Sequence, residues 1–375
     1  MTTASAIDCI VPSEAVQLYG NLNDWHDAVG TGPFILQDFV DSSSMTLVKN
    51  PNYWGTDERY PQNKLPYVNE LEYLIIPNTA TALTAMRVGK IDEINGATIT
   101  NNVVKQMKLS NPKINSISTE SAALDLEPKD NVAPFNNINV RIAAQEALDL
   151  ATIASTYYQG TANPMPQTLT SYYITGWGWP YPDWPASLQA EYAYNPTNAK
   201  ALLAAAGYPN GFNTTLYADS TLDMSMLEIV QSYEAAIGIN ITIQPMLFAS
   251  LTAFLGSPVY NAGMCERSSG LIGRTLAPLR VLTQFVPGNS VNFEDWNDPA
   301  YNFVSLANAA TTIDAIKQVD QQANQYVAQQ HIVICLDTPN AFSLVQPWLF
   351  GYNGQVNAFQ FLVNTYAARF WIDQS

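Results

Sequence analysis

Charge is scarce in this chain, and basic charge scarcest: 16 Lys and Arg stand against 32 Asp and Glu in 375 residues, a formal net charge of −16. Such a surface repels phosphate backbones and anionic lipid headgroups, which argues against nucleic acid and membrane surfaces as partners. Histidine is nearly missing. His26 and His331 are too little material for a metal cluster or a His-based proton relay. Cys9, Cys265 and Cys335 lie far apart with no CxxC or Cys/His spacing, so neither a disulfide framework nor a zinc site is expected. No apolar run approaches the roughly 18 residues of a membrane span. Met1 to Asp8 carry neither the basic nor the apolar region of a signal peptide. The chain also lacks a P-loop, a GxGxxG fingerprint, a GxSxG elbow and an HExxH pair. No cofactor and no metal ion is expected.

What the chain does have is apolar mass. Hydrophobic residues make up 47% of it, with 8 Trp and 20 Tyr, enough for packed cores in two domains or one large interleaved pair. Gly30 to Pro33 is turn chemistry, and apolar runs at 34–36 and 45–48 flank a polar Asp-Ser-Ser-Ser turn, which predicts a hairpin. A strand over 70–77, a helix over 79–88 capped by Asn78 or Thr79, and a strand over 90–94 predict an α/β lobe. Residues 130–137 form a breaker-rich connector. Helices are predicted over 140–154, from Asn195-Pro196 to Gly207, over 224–237 and over 313–330, with strands at 216–218, 239–243 and 332–336. His331 at the end of the last helix is read as a cation near a helix C-terminus, and Cys335 as core filler.

Two clusters stand out. The first runs from Tyr172 to Trp184 and contains Trp177, Trp179 and Tyr181; it is too rich in Gly and Pro for a strand or helix. Its rings either pack the loop onto its own lobe or face a ligand. The second, Asn261 to Gly270, reads as a polar loop after a strand and holds Met264, Glu266 and Arg267. Acids such as Asp183, Glu266 and Asp295 are solvated or capping groups as readily as catalytic ones.

Taken together these segments resemble the family 5 extracellular solute-binding proteins, which include carriers of oligopeptides, dipeptides and nickel complexes. Gly30-Thr31-Gly32-Pro33-Phe34 followed by Asn50-Pro51-Asn52-Tyr53-Trp54 resembles a GTGPF…NPxYW signature. Met86-Arg87-Val88-Gly89-Lys90-Ile91-Asp92 is similar to the family's helix-then-GxID element. Pro134-Phe135 through Val140-Arg141, with Ala147-Leu148-Asp149, resembles PFxDxRVRxA…AxD. Ala199-Lys200 through Gly211-Phe212 matches AKxLLxxAGYPxGF, and Gln346-Pro347-Trp348 through Tyr352 resembles a late PWxxGY turn. Each motif is weak alone; five in order are strong.

The resemblance implies a two-lobe, type II periplasmic-binding-protein-like α/β fold with a hinge. Residues 1–127 would form part of lobe I, 128–340 lobe II, and 341–375 a return to lobe I. It implies a periplasmic or extracellular carrier that delivers a peptide-like or oligosaccharide solute to the permease subunits of an ABC transporter, without catalysis. Relatives carry a considerable stretch before GTGPF, where this chain has 29 residues, so lobe I is expected to be incomplete. Peptide-binding relatives pair an aspartate with the peptide α-amine; alignment puts Arg267 at that place with Glu266 beside it. The expected contacts are Met264, Glu266 and Arg267 on one loop and Trp177, Trp179 and Tyr181 on the other, with Arg267 taking a ligand carboxylate. The alternatives are a carboxylate-based glycoside hydrolase and a non-functional remnant.

Overall fold

The computed structural model describes residues 11–20, 24–95, 99–120, 123–169, 176–220, 223–268, 282–354 and 366–373, with the side chains of Arg267 and Ser268 outside that set. The chain divides into two compact units: Glu120–Asn340, and a discontinuous unit that joins Ala4–Thr119 to Ala341–Ser375.

The discontinuous unit begins with α1 (Ser13–Tyr19) and the predicted hairpin, β1 (Phe34–Val40) with β2 (Ser44–Lys49). A small ribbon, β3 (Thr56–Asp57) with β4 (Tyr60–Lys64), leads to β5 (Glu70–Leu74), which pairs with the other side of β2. Helix α2 (Thr79–Arg87) starts where its cap dictates: the Asn78 side chain accepts the Thr81 N–H at 3.0 Å. After it come β6 (Glu93–Asn95), α3 (Asn101–Ser110) and β7 (Asn115–Glu120). Phe34, Leu47, Leu65 and Phe370 centre one core of this unit, and Met86, Met107 and Leu344 another.

The second unit starts with β8 (Leu124–Pro128) and α4 (Ile138–Glu146). The single helix expected over 140–154 is broken. Asp149 accepts the Thr152 N–H at 3.0 Å and opens a new turn, α5 (Leu150–Thr152), continued by a π-helical turn at Ile153–Tyr157. Next come β9 (Ala162–Asn163), α6 (Ala186–Glu191), α7 (Pro196–Ala205), β10 (Phe212–Asp219), α8 (Met224–Ile237), β11 (Ile239–Met246), α9 (Phe248–Leu255), β12 (Met264–Ser268), α10 (Phe303–Ala309), α11 (Ile313–Gln330) and β13 (Ile334–Cys335). The chain leaves along β14 (Thr338–Val345), which lies between β6 and β7, and ends with β15 (Leu349–Phe350) paired to β16 (Trp371–Ile372).

The sheet of the second unit has the order β11-β10-β12-β8-β13. Strands β10, β11 and β12 are parallel, and β8 runs antiparallel to both of its neighbours. Leu126, Val140, Leu203, Leu216, Val230 and Ile239 fill the core on one of its faces. Residues 264–268, expected as a loop, are therefore an interior strand, with Met264 and Cys265 buried in two different cores. His331 stands at the C-terminal end of α11 as expected, with its Nε2 3.0 Å from Glu191 Oε2. It caps α11 in the left-handed conformation, fully buried and stacked on Tyr192 at 4.4 Å, and burial pulls its pKa down.

The starts of β10 and β11 are held by two glycines. Gly211 (φ +72°) meets Gly238 (φ +101°) so closely that a Cβ on Gly211 would lie 1.9 Å from the Gly238 carbonyl oxygen. Gly211→Ala is therefore expected to cost at least about 2 kcal/mol, from left-handed strain plus the forced parting of the two strands. A melting temperature within 1 °C or so of the parent would refute that.

Candidate functional site

In open α/β sheets ligands gather at the carboxyl ends of the strands. In unit Glu120–Asn340 that edge is acidic. Asp219 ends β10, Glu266 is the central residue of β12, level with the last residues of β10, and Asp337 follows β13 by two residues. The start of β8 reaches the same edge because β8 runs the opposite way.

Glu266 pairs across the ladder with Leu126 and shares a face with Met264, which places a carboxyl against the apolar core. It is buried, and its Oε2 has no hydrogen-bond partner among the described residues. Desolvation, then the nearby charges of Glu127 and Asp219, push its pKa up to about 8. Asp337 behaves the same way. It is buried, its Oδ1 has no described partner, and burial followed by the charge of Asp149 pushes it up to about 8. Tyr158 senses the charges of Asp223, Asp337 and Glu266, and the Tyr157 hydroxyl donates to Asp223 at 2.7 Å. No described cation acts on Glu266 or Asp337. Each carboxyl is thus desolvated, with one oxygen that has no described partner, on the side of the sheet where β10 and β13 end.

The opposite face of the sheet carries a set of interacting polar groups. Gln284 Nε2 donates to Glu127 Oε1 at 2.9 Å. Lys129 Nζ donates to the Phe293 carbonyl at 3.0 Å, pairs with Asp295 at 2.6 Å and lies 4.4 Å from the centre of the Tyr260 ring. Asp295 is thus a structural counter-ion.

The other expected contacts divide. Met264 is 1% exposed and packs in the core, because β12 turns it to the same side as Leu126 and Leu216. The backbone of Arg267 continues β12, and its side chain lies outside the described residues. Trp179 stacks on buried Trp184 at 5.3 Å, and its carbonyl accepts the Trp184 indole N–H at 2.9 Å. Tyr181 packs edge-on against Trp184 and donates to the Gln189 carbonyl at 3.2 Å. Of the two readings of the loop, packing onto its own unit accounts for both rings. Trp177 is half-buried, next to Gly176, whose carbonyl accepts from Gln321 Nε2 at 3.0 Å. Residues 172–175 of that cluster lie outside the described residues. Asp337, Asp219 and Tyr158 were not singled out in the sequence. The available signal was an acid directly following a predicted buried strand.

The model of the bacterial extracellular solute-binding proteins, family 5 (middle), matches residues 5–315. The chain belongs to this family. Among its curated relatives, heme-binding protein A of Haemophilus influenzae is 30% identical over 224 residues, 56% of this chain and 36% of the relative. The periplasmic oligopeptide-binding protein OppA of Salmonella typhimurium is 24% identical over 359 residues, 92% of this chain and 62% of the relative. The chain thus spans between about a third and three-fifths of the length of these relatives. Among solved structures, the ABC transporter-associated periplasmic binding protein DppA from Helicobacter pylori, in complex with the peptide STSA, superposes with a TM-score of 0.70 at 22% identity, covering 97% of this chain and 68% of that one. The α/β fold expected of family 5 binding proteins is the fold observed.

Proposed function

We propose that this family 5 chain binds a peptide-like solute carrying an ammonium group, outside the cytoplasm, and hands it to the permease of an ABC importer without changing it covalently. The observation that carries this reading is the pair of buried carboxyls without a described counter-ion, Glu266 and Asp337, at the carboxyl edge of one sheet. The relatives named above for oligopeptide binding and for a peptide complex support it. The two lobes of this reading, expected to divide at 127/128 and 340/341, are supported by the two compact units at the second boundary, while the first falls at Thr119/Glu120, ahead of β8. Its contact set is Glu266 with Arg267 and Trp177, joined by Asp337 and Asp219. The peptide-like solute is favoured over an oligosaccharide because Trp179 and Tyr181 are engaged in packing. A glycosidase pair needs one carboxyl ionised beside one protonated, whereas Glu266 and Asp337 are both pushed up to about 8.

An ammonium bound at Glu266 stabilises the carboxylate, so binding near pH 7 releases a proton. Calorimetric titration with di- to pentapeptides should give dissociation constants near micromolar, about −8 kcal/mol, with a heat that varies with the ionisation enthalpy of the buffer. N-acetylation of the peptide should weaken binding more than tenfold. In Glu266→Gln the free and acetylated peptides should bind alike. Equal affinity of both peptides for the parent protein would remove the carboxyl pair from the site, and turnover of a chromogenic glycoside would replace carrier by enzyme.

A further inference from the structure

Glu266 and Asp337 stand at separate places on the acidic edge of unit Glu120–Asn340. The ladder sets Glu266 level with Leu126 and Leu126 level with Ile334, and Leu336 N–H donates to the Leu124 carbonyl, so the strand path holds as far as Leu336. Asp337 therefore stands two strand spacings across and three residues along from Glu266, roughly 14 Å between Cα atoms at ~4.8 Å and ~3.3 Å per step. The charges around them agree: Glu127 and Asp219 act on Glu266, Asp149 acts on Asp337, and neither of the two acts on the other. Neighbouring acids are already engaged. Glu127 accepts from Gln284, Asp149 holds Thr152 through both oxygens, and Asp223 takes the Tyr157 hydroxyl. Asp337 also has aromatic company. Tyr158 and Tyr233, half-buried against the core of the unit, both feel its charge, and a ring face beside a carboxylate favours a cation.

Resting on the reading of Glu266 as the ammonium site, we propose that the solute carries two cationic groups, a peptide whose first residue is basic, with its α-ammonium on Glu266 and its side-chain cation on Asp337. A single ammonium cannot reach both carboxyls across that separation. A lysine residue sets its two nitrogens about 7 Å apart, and a charge-assisted hydrogen bond of ~2.8 Å at each end extends the reach to about 12 Å. The Glu266 and Asp337 side chains supply the rest. A neutral first side chain would leave the Asp337 carboxyl protonated and its buried oxygen without a partner.

Calorimetric titration at pH 7 compares the tripeptide Lys-Ala-Ala with norleucyl-Ala-Ala, which keeps the length and loses the side-chain charge, each free and N-acetylated. Lys-Ala-Ala should bind the parent at least tenfold more tightly than the norleucine peptide. Its heats in buffers of different ionisation enthalpy should report about two protons released, against about one for norleucine, since each cation converts one protonated carboxyl. That count is read on the parent protein and needs no variant. In Asp337→Asn the two free peptides should bind alike and each release about one proton. In Glu266→Gln the lysine preference should persist while acetylation ceases to matter. Equal affinity and equal proton release for the two peptides, with acetylation still weakening both, would overturn the second cationic site and leave the ammonium reading standing. A lysine preference that survives Asp337→Asn would overturn it too, by placing the second charge elsewhere. Indifference of the parent to acetylation, or no binding by any of the peptides, would remove the ammonium reading and the second site together.

Discussion

Glu266→Gln is expected to melt several degrees above the parent at pH 8, with most of the gain gone at pH 5. The parent holds this carboxyl at about 8 when folded, against roughly 4.5 in the unfolded chain. Below the unfolded value both states carry the proton and folding gains or loses nothing from it. Between the two values the unfolded chain releases the proton and the native state keeps it, so stability falls by about 1.4 kcal/mol per pH unit. The accumulated penalty is about 4 kcal/mol at pH 8 and about 1 kcal/mol at pH 5, and glutamine removes it at both. Asp337, also pushed up to about 8, adds to the same trend, so the melting temperature of the parent itself should fall as pH rises from 5 to 8. Differential scanning calorimetry at the two pH values tests both statements. A shift of equal size at pH 5 and pH 8 would mean that Glu266 is not a desolvated acid. The expected pattern is that of a group kept for binding at the expense of stability.

How far this was legible in the sequence depended on whether the deciding signal was local. Asn78, Asn195 and Gly238 begin or end helices at the expected places because a cap acts over three residues. The break after Glu146 was harder to see. Ala147-Leu148-Asp149 keeps helical composition, and only the Asp149 side chain bonding Thr152 shows the restart. Strand β12 was misread as a loop for a non-local reason. Met-Cys-Glu-Arg-Ser has little intrinsic strand preference, and it is a strand because β8 and β10 flank it. The candidate site was half legible for the same cause. Alignment to family motifs drew attention to Glu266, but no pattern separates Asp295, neutralised by Lys129, from Asp337, which has no such partner. That difference comes from the three-dimensional placement of distant residues. The aromatic loop misled in the other direction, since Trp184 organises Trp179 and Tyr181 into packing that composition alone left open.

Arg141→Met is expected to destabilise unit Glu120–Asn340 by about 3–5 kcal/mol, the range found when one partner of a buried charge network is removed. Arg141 is buried, and its guanidinium joins three carbonyls: Nε donates to His331 at 2.9 Å, Nη1 to Phe135 at 2.6 Å and Nη2 to Gln330 at 2.7 Å. It also lies 3.6 Å from Asp130, whose carboxyl burial already pushes well up and which Arg141 alone among its neighbours pulls down. Methionine fills similar space but leaves the carbonyls without donors and Asp130 without its cation. Arg141→Lys restores the charge but not the planar fork, so it should recover only part of the loss. The damage should be local in cause: two of the three carbonyls belong to the end of α11, four residues before β13 and the Asp337 edge. Urea unfolding followed by tryptophan fluorescence should show the midpoint falling in the order parent, lysine variant, methionine variant. A methionine variant within 1 kcal/mol or so of the parent would mean that solvent or relaxed backbone takes over those three bonds, and that the fork is not what ties the helix end to the sheet.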